Sequence, residues 1–491
     1  MRKDILFDVG SVVYIGLLIV LMLLWWGKYP IFVDIYYHLS VMSGFSDAGG
    51  VVLTDFWEFA PLGRPHLYPP LLHIFMLALF KTGFSVNFIG KLVSFMLFPA
   101  QLLSLFVYMR QQFSSKAAFF SILILSTPLA YLWANSVISA SALVLFFAPL
   151  LFLTIEKGKK VASPLLLALS LYSHLGIAHT TAIALILYGI INPARRRICF
   201  SSVIAGYILY LPWAFHTLLN ISYLHRTFDS SIVDPSTTIY LPMVFLALVG
   251  MVVAFKEKEK SGLLPLCYIV AMMPVAFTAP NRFWLSCGGM PFAMLGGIGL
   301  DHATRRMEVR VKRKSASLVF AGIVFLSLLL FNPTVRVTPD KGLAVRNEYP
   351  LLPSLLTERG SGKDNLENEE TNMLLGWIEK NTSRDDVLFV SNPPLGCLIT
   401  AYTGRAQTSG MFREVLPYRQ TTPRDASFIL IERGDFPEGK RVAEIGRVSV
   451  YERNVQVKRN ISEPVLSVGM AFLIVFLSFA LILIDALRGT P

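Results

Sequence analysis

Charge is scarce in this sequence. Of its 491 residues only 15% are Asp, Glu, Lys or Arg, while 54% are hydrophobic. Soluble domains carry roughly 25% charged residues, so an ordinary water-soluble fold is excluded. Cysteine is scarcer still. The four are Cys199, Cys267, Cys287 and Cys397; three fall in or beside apolar blocks, and no disulfide framework is expected. There is no G-x-x-x-x-G-K-[ST] loop, so nothing in the chain marks an ATP-driven pump. There is no Cys/His spacing typical of structural zinc. Internal repeats and low-complexity tracts are also lacking.

What is present are long apolar blocks, of about the 20 residues needed to cross a bilayer core as helix. The first, "GSVVYIGLLIVLMLLWWG", is too long for a signal peptide and has no small-residue cleavage site after it. It is read as a retained helix. The net charge of +12 is assigned to cytoplasmic loops, which collect Lys and Arg, and not to a nucleic-acid partner. Those clusters are Arg2 and Lys3, Arg110 to Lys116, 156–160, 194–198, 256–260 and 305–314. An even number of crossings must separate each pair. Helices are expected at about 10–27, 88–109, 117–135, 138–155, 162–176, 178–193, 199–219, 238–255, 262–279, 283–300, 316–332 and 465–487.

The expected fold is therefore a polytopic α-helical membrane protein of about 12 spans. Residues 1–332 form the transmembrane part, with a large first outer loop at 28–87. Residues 333–464 form a small outer α/β domain, and 465–491 a last membrane helix. Within the loop, 69–83 is read as an interfacial helix. Within the polar region, "NMLLGWIEKN" predicts an amphipathic helix, and "DVLFVS", "SFILIE" and "RVSVYE" predict strands. The Asn-x-Ser/Thr acceptors Asn220, Asn381 and Asn460 all fall on the outer side of this scheme.

Several residues are candidates for chemistry. In "VDIYYH", Asp34 and His38 stand four apart, on one face of a helix. An acid at a membrane edge is costly unless wet, paired or working. Asp34 suits a general base or a metal ligand; the bland alternative is a loop acid in water. The stretch "TDFWEFAPLGRPHLYPP" (54–70) carries Asp55, Arg64, His66 and Tyr68. It reads as an aromatic belt or as the wall of a substrate groove in which Arg64 or His66 meets a phosphate. Arg282, at the outer end of a helix, either snorkels or neutralises the phosphate of a lipid-linked donor. His174 and His179 sit at a helix break and more often hydrogen-bond locally than bind metal. The loop 220–238, with His225, Arg226, Asp229 and Asp234, is a flap or a plain connection. The basic run 305–314 faces anionic lipid.

Together "DIYYH", "DFWEFAPLGRPHLYPPLLH", "NRFWLSCGGMPFAMLGGIGL", "WIEKNTSRDDVLFVSN" and "AYTGRA" resemble the GT-C superfamily of polytopic glycosyltransferases, most of all the archaeal oligosaccharyltransferase catalytic subunit. The resemblance implies a polyprenyl-phosphate sugar donor, such as a dolichol-linked sugar, and an acceptor glycan, lipid or protein. It makes Asp34 a base or a ligand for Mg or Mn, and Arg282 the partner of the donor phosphate. It leaves His38, Asp55, Arg64, His66 and Tyr68 as substrate contacts. Two departures matter. The Trp-Trp-Asp-x-Gly signature is absent, which argues against transfer to Asn-x-Ser/Thr. The stretch 126–142, matching the family's second outer loop, has no acid, which weakens a two-loop metal site. The reading is a membrane glycosyltransferase working on the outer face, with a cytoplasmic N-terminus. The competing readings are a non-catalytic binder of lipid-linked glycan and a transporter, although inverted repeats and broken midplane helices are not apparent.

Overall fold

The structure is a computed structural model that describes residues 4–29, 33–128, 131, 139–225, 237–256, 263–312, 315–331, 333–338, 342–347, 366–412, 414–432, 434–436 and 438–487. Arg226, Asp229 and Asp234 of the loop 220–238, the basic residues at 258–260 and 313–314, and most of 129–138 lie outside the described residues.

The apolar blocks are helices. They are α1 (Asp4–Leu24), α2 (Asp34–Ala48), α3 (Leu71–Lys81), α4 (Val86–Gln112), α5 (Ser115–Ser126), α6 (Ser139–Glu156), α7 (Ala162–Leu171), α8 (Ile177–Ile191), α9 (Arg196–Leu219), α10 (Leu241–Lys256), α11 (Leu263–Thr278), α12 (Gly289–Val311) and α13 (Ala316–Leu330). Two more, α14 (Glu369–Asn381) and α15 (Pro393–Thr403), belong to the polar region, and α16 (Val468–Leu487) ends the described chain. Four of these, α1, α4, α9 and α16, are long and apolar enough to cross a membrane; eight others are shorter apolar helices. The expected pair of short helices between basic clusters is present as α7 and α8, broken at 172–176. The segment 69–83 forms the short helix α3. The expected span 283–300 is shifted: 283–287 form a π-turn, and α12 starts at Gly289 and runs on through "RRMEVRV", whose Arg and Glu are good helix formers.

Ion pairs gather the basic clusters at one end of the bundle. Arg110 meets Asp8 at 2.8 Å, Lys116 meets Glu308 at 2.7 Å and Arg195 meets Glu156 at 3.4 Å.

At the polar region, β7 (Val387–Val390), β8 (Ala406–Gln407), β9 (Phe428–Glu432), β10 (Lys440–Ile445) and β11 (Val448–Glu452) form one sheet in the order β10-β11-β9-β7-β8. β7 is parallel to both its neighbours; the β9–β11–β10 side is antiparallel. Ahead of the sheet, Asn368 caps α14 by accepting from Thr371 N at 2.8 Å. The first strands of the expected outer domain go elsewhere. β5 (Pro333–Thr338) pairs with β4 (Thr237–Tyr240), the lead-in to α10, and β6 (Gly342–Asn347) pairs with β5.

The first loop is interlocked with this α/β module. β1 (Gly50–Val51) pairs with β12 (Leu466–Ser467) just before α16. Ala60 N donates to Gln407 O at 3.0 Å, and Gln407 N to Trp57 O at 2.9 Å. Asp47 pairs with Arg459 at 2.5 Å, both buried. The helix α2 is held between α3 and α4 on one side and α15 on the other. Two glycines make that possible. Gly49 ends α2 in a left-handed conformation, φ 76°. At Gly44 a Cβ would lie 2.0 Å from the Trp57 ring, so only glycine admits that indole.

Candidate active site

Three separate segments bring charge to one place. Asp34 is in the first turn of α2, where the helix dipole favours a carboxylate. Arg282 closes a three-residue helical turn that Pro280 opens after the break at Ala279. It is followed by a wide π-turn, 283–287, in which Cys287 Sγ donates to Arg282 O at 3.4 Å. Such turns commonly mark functional positions. Glu414 comes from the loop after β8 in the α/β module. Arg282 Nη2 lies 3.1 Å from Glu414 Oε1, and Arg282 and Glu414 are the charges that act on Asp34. Burial raises the Asp34 carboxyl to about 6; Arg282 draws it down and Glu414 pushes it up. The same three charges act on the Tyr68 hydroxyl, whose pKa burial raises.

An aromatic wall closes one side. Phe412 stacks on Tyr37 at 5.5 Å and meets Tyr68 edge-on at 4.8 Å. His174 meets Tyr68 at 6.1 Å. Its Nδ1 accepts from Gly176 N at 3.0 Å and Ile177 N at 3.2 Å, which caps the start of α8. Burial, aided by the Arg282 charge, lowers His174 to about 3. His179 instead bonds Tyr207 at 2.7 Å.

Asp34, Tyr68 and Arg282 are thus brought together. Asp55, Arg64, His66 and His38 are in the wall behind. Arg64 is fully buried. Its Nε donates to Asp55 at 2.9 Å, its Nη2 to Glu58, and its Nη1 to Phe412 O and to Val415 O at 3.3 Å. Every guanidinium nitrogen is taken by the protein, so none is left to face a phosphate. His66 Nδ1 donates to Asp55 Oδ1 at 2.5 Å. Burial alone would raise the Asp55 carboxyl, but its contacts with His66 and Arg64 outweigh it and lower its pKa. Glu58 accepts from Cys397 Sγ at 3.0 Å and Met411 N at 3.1 Å, and burial keeps its pKa raised. His38 shares a hydrogen bond with His73, Nδ1 to Nε2, at 2.9 Å; burial lowers His38 to about 3 and it stays neutral. Sequence reasoning missed Glu414 and Phe412. They stand far along the chain in "GMFREVL", which has no feature of its own.

Among the described residues, no three His, Cys, Asp or Glu side chains converge to hold a metal ion. The carboxylate acting on Asp34 is Glu414, already paired with Arg282. The described residues do not make the metal centre that the resemblance implied.

An apolar cavity of about 550 Å³ lies between α3, α7, α9 and α16, lined by Leu71, Ile74, Leu169, Trp213, Ala471 and Ile474 among others. Its wall includes Tyr172 and Leu71, joined by a 3.0 Å bond from Leu71 N to Tyr172 O. They are close neighbours of His174 and Tyr68 in the chain.

Two solved proteins share this architecture. The Archaeoglobus fulgidus oligosaccharyltransferase in its apo form matches with a TM-score of 0.59 at 12% identity, over 84% of this chain and 65% of that one. In complex with an inhibitory peptide and a dolichol-phosphate the archaeal enzyme, AglB, matches at 0.52 and 11% identity, over 78% and 61%. ArnT from Cupriavidus metallidurans in the apo state matches at 0.56 and 14% identity, over 90% of this chain and 98% of that one; bound to undecaprenyl phosphate it matches at 0.52 and 12%, over 90% and 98%. No protein-family model and no curated protein matches the sequence. The chain has the fold of these two solved proteins, and its long apolar helices make it an integral membrane protein. It spans 65% of the archaeal enzyme's length.

Proposed function

We propose that this protein is a glycosyltransferase that moves one sugar from a polyprenyl-phosphate carrier to an acceptor glycan, lipid or protein at the outer membrane face. The observation that carries this is the convergence of Asp34 and Tyr68, from the first loop, with Arg282 and its partner Glu414 of the α/β module. The ligands seen in the two structural relatives, a dolichol-phosphate and undecaprenyl phosphate, support the donor class.

In this reading Asp34 takes the proton of the acceptor hydroxyl. The hydroxyl oxygen bonds to the anomeric carbon as the bond to the phosphate oxygen breaks. The carrier phosphate leaves with the electron pair, and the anomeric centre inverts. A carboxyl held near 6 is poised for such work, since a base acts best with a pKa near the working pH. Arg282 meets the charge that grows on the leaving phosphate, usually the larger catalytic contribution. Tyr68 and Phe412 form the wall that orients the sugar, and the apolar cavity is suited to hydrocarbon. The buried Asp55–Arg64–Glu58 cluster positions the loop 411–415 instead of touching substrate. The basic end of the bundle is then cytoplasmic, and the site opposite it is outside.

The test is turnover of labelled polyprenyl-phosphate sugars by the purified full-length protein, with Asp34→Asn beside the wild type. Transfer that Asp34→Asn abolishes is the expected result. Donor binding without transfer to any acceptor identifies a non-catalytic binder instead. Equal rates with and without a chelator would exclude a need for a readily removed divalent ion.

A further inference from the structure

Glu414 is not used by the reaction as described, yet it sits at its centre. We propose that Glu414 is the resident anion of the donor-phosphate position: its carboxylate holds Arg282 in place while no donor is bound, and the carrier lipid's phosphate displaces it. This rests on the reading that Arg282 receives the donor phosphate.

Two observations carry it. First, the backbone around Glu414 is fixed from both sides. Arg64, from the first loop, donates to Phe412 O and Val415 O. On the other side His225 N donates to Glu414 O at 2.9 Å, Leu416 N to Tyr223 O at 2.8 Å, and Leu224 bridges Val415. The ionic cluster behind the site thereby sets where Glu414 stands. Second, the side chains themselves are accessible. Arg282 is 52% exposed and Glu414 30%, so an incoming anion can reach the pair and the carboxylate has room to swing away.

The exchange is downhill on general grounds. An accessible Arg–carboxylate pair is weak. The donor's phosphodiester carries the same single charge as the carboxylate but can accept two parallel N–H bonds from the guanidinium, where Glu414 Oε1 meets Nη2 at 3.1 Å. A placeholder also prevents Arg282 from settling on some other acceptor while the site waits.

Binding of undecaprenyl phosphate to the full-length protein in nanodiscs tests this, with wild type, Glu414→Gln, Arg282→Ala and the double variant, each first checked for an unchanged melting curve. Glu414→Gln is expected to bind about twofold to fivefold more tightly, and Glu414→Ala to change in the same direction. Arg282→Ala is expected to bind about tenfold or more weakly, and Glu414→Gln to add nothing in that background. If Arg282→Ala weakens binding while Glu414→Gln does not tighten it, the placeholder is wrong and the donor reading stands. If Glu414→Gln tightens binding equally without Arg282, simple repulsion explains it and the placeholder is again wrong. If Arg282→Ala binds as wild type, the donor reading itself fails.

Discussion

Arg64 Nε donates to the Asp55 carboxylate over 2.9 Å where solvent reaches neither side chain. Charges so buried are tolerated only when paired and hydrogen-bonded. Here one guanidinium joins two carboxylates of the first loop to two carbonyls of the α/β module.

Breaking that joint should be expensive. Arg64→Met leaves Glu58 buried without its counter-ion and Asp55 with His66 alone, a loss of about 3–5 kcal/mol. Thermal unfolding in detergent reads it. Adding Asp55→Asn and Glu58→Gln to Arg64→Met should recover part of the loss; a single variant as stable as wild type would sink this account.

Asp34 sets the acid limb of activity. A base works only when deprotonated, and burial holds Asp34 at about 6. Single-turnover transfer should rise with pH through about 6 and level off above it. Asp34→Asn should lower the plateau by about 10²–10⁴-fold. A rate independent of pH between 5 and 7 would rule out Asp34 as the proton acceptor.

His38 makes the fold sensitive to mild acid. Burial lowers its pKa from 6.5 to about 3, so below 6.5 the unfolded chain binds a proton that the folded one refuses. Stability is present above that value and falls as pH falls. At pH 5.5 the loss is about 1.4 kcal/mol. Melting curves at pH 7.5 and 5.5 should show a smaller acid-induced drop for His38→Gln than for the wild type; equal drops would contradict it.

Gly44→Ala should destabilise the protein although alanine is the better helix former by about 1 kcal/mol. The added Cβ meets the buried Trp57 ring at 2.0 Å, and overpacking costs about 1–3 kcal/mol. Trp57→Leu in the same chain should relieve the clash. The comparison of the three melting temperatures decides it.

The parts legible in the sequence were those set by local pattern. Apolar blocks marked the helices, "DVLFVS", "SFILIE" and "RVSVYE" became β7, β9 and β11, and "NMLLGWIEKN" lies in α14. Strand β10, "KRVAEI", is a mostly exposed edge and lacks the apolar alternation that reveals a half-buried strand. Helix α2 was legible only at its start. Its second half, "VMSGFSDA", carries Gly and Ser and owes its helix to burial against α15, far along the chain. The charges of "DFWEFAPLGRPH" looked like a wet groove wall because nothing local reveals that they neutralise one another. Arg282 and Asp34 could be nominated singly, but their common partner Glu414 depends on the tertiary fold alone.

The pairing of Gly50 and Val51 with Ser467 and Leu466 also fixes a timetable. The ribosome delivers the first loop more than four hundred residues before its partner strand. At 5–20 residues per second, that loop waits on the order of 20–80 s for the strand it pairs with. The pairing of the first loop is therefore completed only once β12, at the head of α16, has been made.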